Sequence, residues 1–258
     1  MEAETFAASS TEDDSQQPPL GNVILLHLLP GVLLVLFYTV TAPLALKLGF
    51  PSYFALMVGL GIILIPFELG YLLVQAKKRN GSLSLRGIVV YREPMPVWQY
   101  VALWLILFTW LGLFFGMLAA PVNKFFIDRF FSWVPNWFFL LGPANQFDQY
   151  SHSALLITAI LALLLNGIAG PVIEELYFRG YLLPRLSRLK GWAPVLNILL
   201  FSLYHFFTPW ENLIRIFAIA PMIYTVWWKK NIYIGMMVHC TGNMVGSIGM
   251  LVMVLGHK

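Results

Sequence analysis

Charge is what this sequence has least of: Asp, Glu, Lys and Arg together make up 11% of its 258 residues, against about a quarter in a soluble domain. With apolar runs filling nearly everything after Gly21, that scarcity excludes a soluble catalytic domain and leaves an integral membrane protein. The single cysteine, Cys240, excludes an internal disulfide. Basic stripes interleaved with aromatics are missing, so no nucleic-acid partner is expected. The first twenty residues, MEAETFAASSTEDDSQQPPL, contain no Lys or Arg and so lack the basic start of a signal peptide. They read as a disordered acidic tail over 1–21, followed by a retained first helix.

What remains is hydrocarbon. Runs long enough to cross a bilayer, about 20 residues each, lie near 22–46, 52–75 and 97–120, and further runs cover 153–170, 192–207, 213–228 and 232–255. Between the third and fourth lies VNKFFIDRFFSWVPNWFFLLG, aromatic-rich with scattered charge, whose composition predicts a helix lying in the interface. The expected fold is all-α, a polytopic bundle of about eight membrane-embedded helices. Residues 22–150 form its N-terminal part and 151–258 the core that carries the chemistry.

Orientation follows from the basic residues. Lys77, Lys78, Arg79, Arg86 and Arg92 fall in one loop, Arg185, Arg188 and Lys190 in a second, and Lys229 with Lys230 in a third, ten of the sixteen Lys and Arg in the chain. The positive-inside rule makes all three loops cytoplasmic. Counting from these ends at about 1.5 Å per residue sets Glu174, His205 and His239 at depths of roughly 13 to 21 Å, in a core about 30 Å thick. A continuous helix from 153 to 190 would be roughly 57 Å long. Gly167, Gly170 and Pro171 therefore predict a break, with Pro171 opening a separate helix.

That helix begins GPVIEELYFRG, two adjacent carboxylates and an arginine in an apolar neighbourhood. Glu175 and Arg179 are i,i+4 neighbours able to form an ion pair, while Glu174 is turned about 100° away. An ionisable group at mid-membrane costs a few kcal/mol, about 3 on insertion scales, and is a functional candidate by default. The plainer reading is a carboxyl hydrogen-bonded to a neighbouring helix. LFSLYHF adds His205 with Phe201 one turn earlier, and GMMVHCTGNMVG adds His239 with Asn243 at i,i+4. A lone histidine in an apolar helix is commonly a packing residue; three polar positions at one depth describe a polar cavity.

The ordered set EExxxR (Glu174, Glu175, Arg179), FxxxH (Phe201, His205) and HxxxN (His239, Asn243) resembles the three motifs of the CAAX prenyl endopeptidase and bacteriocin-processing family of intramembrane proteases (CPBP, ABI). The resemblance covers about 167–246, and FRGYLLPRL is similar to bacterial members; the first three helices carry no family motif. It implies that Glu174 and His205 hold the nucleophilic water while His239 and Asn243 stabilise the tetrahedral intermediate. Glu175 and Arg179 would lock the helix and the Glu174 rotamer, and Phe201 would support them. It also implies a peptide or protein substrate reached from the cytoplasmic side of a bacterial inner membrane, either a prenylated tail or an unknown bacterial target.

Glu174, His205 and His239 could in principle ligate zinc. There is no HExxH, Asn243 is a poor zinc ligand but a good oxyanion donor, and the resemblance is to a glutamic-type protease family, so the expected mechanism uses no cofactor, with zinc as the less favoured alternative. Ser202 has no neighbouring base to act as a serine nucleophile, and the paired membrane aspartates of aspartyl proteases are absent. Glu68 either lines the same cavity or pairs with a helix neighbour, the structural reading being the expected one; His27 and Asn166 read as interhelical hydrogen-bonding residues, and Glu211 with Arg215 as a local ion pair. The competing class is a non-enzyme, a scaffold or a proton-coupled transporter built on the same cavity. A transporter predicts paired halves, and no internal repeat is present.

Overall fold

The computed structural model describes residues 18–140 and 147–256. Of the expected N-terminal tail, residues 1–17 lie outside these, while Leu20 and Gly21 already belong to the first helix. Among the described residues the chain is all-helical, with two isolated bridges, Arg86 with Val89 and Arg92 with Asn231, as its only extended pairing.

Seven helices carry the architecture: α1 Leu20–Lys47, α2 Ser52–Asn80, α3 Val97–Phe130, α4 His152–Leu189, α5 Trp192–Leu203, α6 Asn212–Lys229 and α7 Ile232–Gly256. Five of them, α1 to α4 and α7, are long and apolar enough to cross a membrane, which makes this a multi-pass membrane protein. The interfacial helix expected after the third run does not form as a separate element. Its first residues extend α3 without interruption to Phe130, and residues 131–140 turn through a short 3₁₀ segment, Asn136–Phe138, its last two residues lying outside the described ones. At 34 residues α3 rises about 51 Å, so its charged end, Lys124 to Arg129, projects past a core of about 30 Å. Helix α3 sits at the edge of the bundle, packing through Leu103, Trp104, Leu107 and Leu111 and leaving most of its other apolar side chains exposed, as a lipid-facing helix does.

The break expected at Pro171 does not occur either. Helix α4 runs 38 residues through it, with Gly170 and Glu174 both in right-handed helical geometry. The reason lies in the preceding turn, which is π-helical over Ala162–Ala169 and ends with the Gly170 amide donating to the Leu165 carbonyl, five residues back. A π turn is wider than an α turn, so the pyrrolidine ring is accommodated instead of striking the carbonyl four residues before it. Gly170 is needed for this, because a Cβ there would stand 2.8 Å from the Leu165 carbonyl oxygen. A second π stretch, Glu175–Leu182, and a 3₁₀ end, Leu183–Leu189, follow.

The three basic connections meet at one end of the bundle. The α2–α3 loop docks on α4 through the Val90 amide and Gly180 carbonyl (2.9 Å), and on the start of α7 through the Ile232 amide and Tyr91 carbonyl (2.8 Å). The Glu93 amide donates to the Lys230 carbonyl at 2.9 Å. One continuous core joins residues of α1 and α2 to those of α4 to α7, so the two halves of the chain do not pack separately.

Candidate active site

The polar side chains gather where α4, the end of α5 and α7 meet. Glu175 is fully buried, and its Oε1 lies 3.2 Å from Arg179 Nη1, the i,i+4 pair expected of one helix. The same oxygen accepts from His239 Nδ1 of α7 at 3.0 Å. This approach depends on Gly235, one turn before His239, since a Cβ there would sit 2.6 Å from Glu175 Oε2. Glu175 thus fixes the imidazole ring, and the ring's other nitrogen, Nε2, stands 3.5 Å from Glu174 Oε2.

Glu174 is buried, and its Oε1 accepts a hydrogen bond from the Tyr204 hydroxyl. One oxygen of this carboxylate is therefore fixed by a phenol, and the other faces His239. Tyr204 caps α5, which ends at Leu203, and His205 follows in the turn beyond. His205 Nδ1 donates to the Phe201 carbonyl at 2.8 Å; because a carbonyl can only accept, Nε2 is the nitrogen left to take a proton or hold water. The His205 ring lies edge-on to Tyr204 with centroids 4.2 Å apart.

Phe201 is the hub of the arrangement. Its ring contacts His205 at 5.0 Å and His239 at 6.0 Å between centroids, and the Arg179 guanidinium lies 3.8 Å from its centre. Arg179 is fully buried, and none of its guanidinium nitrogens has a hydrogen-bond partner among the described residues. It is held by the Glu175 charge and the aromatic face, a desolvated cation–π contact of about 2 kcal/mol. Asn243, one turn beyond His239, donates its amide to the Asn166 carbonyl of α4 at 3.0 Å. Glu174, Glu175, Arg179, Phe201, His205 and His239 are thus brought together, while the Asn243 side chain faces the neighbouring helix. Among the described residues, no three His, Cys, Asp or Glu side chains converge at metal-ligand spacing.

Two participants escape a reading of the sequence, Tyr204 and Gly235. Tyr204 shows there only as the neighbour of His205 in LFSLYHF, and because it lies past the end of α5, helical spacing says nothing of its direction. Glu68 belongs to the fully buried stripe Leu64, Glu68, Leu72 and Ala76 of α2, and neither of its oxygens has a hydrogen-bond partner among the described residues. The helix partner expected for it is not found there, while Glu174 and Arg179 of the site are its electrostatic neighbours, which fits the reading that it lines the same cavity. His27 is an interhelical residue, with Nδ1 donating to the Val23 carbonyl and Nε2 facing Asn197 Nδ2 at 2.9 Å. Asn166 Nδ2 faces Ser247 at 3.4 Å, and Arg215 pairs with Glu211 at 2.7 Å. Ser202 donates to the Asn212 carbonyl, which leaves it no nucleophile's role.

Residues 156–245 match the family model described as Rce1-like, type II CAAX prenyl endopeptidase Rce1-like. The matched segment contains all three motifs, and the family is the one they resemble. Comparison with curated proteins and with solved structures gives no match.

Proposed function

We infer that this chain, whose residues 156–245 carry the Rce1-like signature, is an intramembrane endopeptidase that hydrolyses its peptide bond with a water activated by Glu174 and His205. The observation that carries this reading is the Glu174 carboxylate, buried in the matched segment with one oxygen fixed by Tyr204 and the other directed at His239. A base must be oriented and its proton-accepting oxygen kept available; Tyr204 orients, and Oε2 remains for the water. His205 Nε2, left open by the bond from Nδ1 to Phe201, is the second group for that water.

His239 and Asn243 are the proposed donors to the oxyanion. Fixed donors in a water-poor site are worth about 3 kcal/mol each in the transition state. For Asn243 this requires the amide to leave the Asn166 carbonyl when substrate binds. The water gives one proton to Glu174, which passes it to the leaving amine; no cofactor takes part. The meeting of three basic loops at one rim supports a cytoplasmic orientation for that rim, with the substrate reaching the site from it; the likeness of FRGYLLPRL to bacterial members is what makes a bacterial inner membrane the proposed location. The substrate is a peptide or protein segment, and the family makes a prenylated C-terminal tail one candidate.

The test is Glu174→Gln, compared with wild type by proteomics of C-terminal fragments and by a membrane reporter. Loss of specific fragments, with insertion and thermal stability unchanged, is expected. Retained cleavage would remove the proposed base. Activity in strong chelator separates the metal-free route from zinc catalysis: loss restored by zinc would overturn the metal-free mechanism.

A further inference from the structure

Away from the proteolytic residues, a half-open cavity of about 230 Å³ lies between α1, α2 and the end of α4, lined by Asn22, Leu25, Leu26, Tyr71, Tyr181 and Arg185. It sits at the rim where the basic loops meet. Arg185 is its one charged wall, and its guanidinium is held in a set plane, 3.5 Å from the centre of the Tyr181 ring, with Nη1 donating to the Tyr181 carbonyl at 2.7 Å. Tyr71 braces Tyr181 from the side, rings edge-on at 5.6 Å.

Among the described residues no carboxylate lies within ion-pair distance of Arg185. A fixed guanidinium with no carboxylate beside it among the described residues favours an anion. The opposite wall is hydrocarbon: Leu25 is 57% exposed on the lipid-facing side of α1. A ligand that suits both walls has an anionic head and an apolar tail.

We propose that this cavity binds one anionic phospholipid, with its phosphate on Arg185 and an acyl chain along Leu25 and Leu26. A planar guanidinium matches phosphate oxygens in pairs, and basic pockets between membrane helices at the headgroup level are built for such lipids. Asn22, Tyr71 and Tyr181 add neutral polar side chains to the lining. The site involves no residue of the catalytic set and stands whether or not the chain is a protease.

The experiment is native mass spectrometry of the delipidated full chain in detergent, with phosphatidylglycerol or phosphatidylcholine added at equal mole fraction. One phosphatidylglycerol per protein is expected, retained about tenfold better than phosphatidylcholine. Removing one fixed cation should reduce retention about fivefold to tenfold, so Arg185→Gln should show that loss and Lys78→Gln, an exposed cation of the same rim, should not. Equal retention of the two lipids overturns the proposal, as does equal loss in both variants. Displacement by inorganic phosphate at matched concentration would make the site one for a free anion and overturn it as well. If Arg185→Gln does not fold, the competition between the two lipids on wild type decides.

Discussion

Replacing Arg179 with Met tests whether the buried ion pair assembles the site. The substitution keeps a long apolar stem under Phe201 while removing the guanidinium, and leaves the fully buried Glu175 with His239 as its remaining partner at 3.0 Å. Removing one member of a buried pair costs about 3 to 5 kcal/mol, because an uncompensated charge stays behind; the His239 contact puts this case near 3. Glu175→Gln should cost about the same by stranding Arg179, whose nitrogens have no other hydrogen-bond partner among the described residues. The double variant replaces both charges with neutral groups and should return to within about 1 kcal/mol of wild type, since a neutral pair often substitutes for an ionic one. Reversible unfolding in mixed detergent, run on all four proteins, gives the coupling. A value above about 2 kcal/mol is expected, and additivity within about 0.5 would refute the pairing. Cleavage should stay low in the double variant, because the imidazole has lost the charged oxygen that fixes it.

Tyr204→Phe keeps the ring contacts with Phe201 and His205 and removes the donor to Glu174, a charge-assisted bond worth about 1.5 to 3 kcal/mol; kcat should fall about tenfold or more with KM unchanged, and an unchanged kcat would remove Tyr204 from the site. Gly235→Ala puts a methyl 2.6 Å from Glu175 Oε2 and 3.1 Å from Val226, so it should destabilise by about 1 to 3 kcal/mol and lower cleavage beyond what the folded fraction explains. Glu68→Leu removes a buried carboxyl whose two oxygens have no hydrogen-bond partner among the described residues and should raise stability by about 1 to 3 kcal/mol; a loss of stability would mean that the carboxyl holds α2 in place.

What could be read from the sequence was what one helix determines by itself. Glu175 and Arg179 meet because four residues bring side chains to one face, and Glu211 with Arg215 for the same reason. The single-file apolar runs gave α1, α2 and α7 their places. The continuity of α4 was hidden because hydrophobic periodicity does not distinguish an α turn from the π turn that accommodates Pro171. That of α3 was hidden because aromatic residues with scattered charges suit an interface and the protruding end of a long span equally. Tyr204 lies in a turn, where no spacing rule applies, and the need for a glycine at 235 depends on Glu175, sixty residues earlier in the chain.

The way charge is distributed in the buried interior sets Glu174 apart from its neighbours. Arg179 and Glu175 neutralise each other, and Arg215 is answered by Glu211 and by the oxygens of Asn212 and Thr208. Glu174 is different, for its fixed donor is a phenol, which orients a carboxylate without cancelling its charge. Its other neighbour, His239, is held at 3.5 Å by a bond to a second carboxylate, too far for a close ion pair and near enough for a water or a substrate oxygen to join them. A purely structural acid in a bilayer would be better served by a direct cation, which Arg179 could have supplied from the same helix. That the arginine pairs with Glu175 and leaves Glu174 with neutral or distant donors is what a proton acceptor requires, and it is the ground on which the chemistry is proposed for the first carboxylate of the pair and not the second.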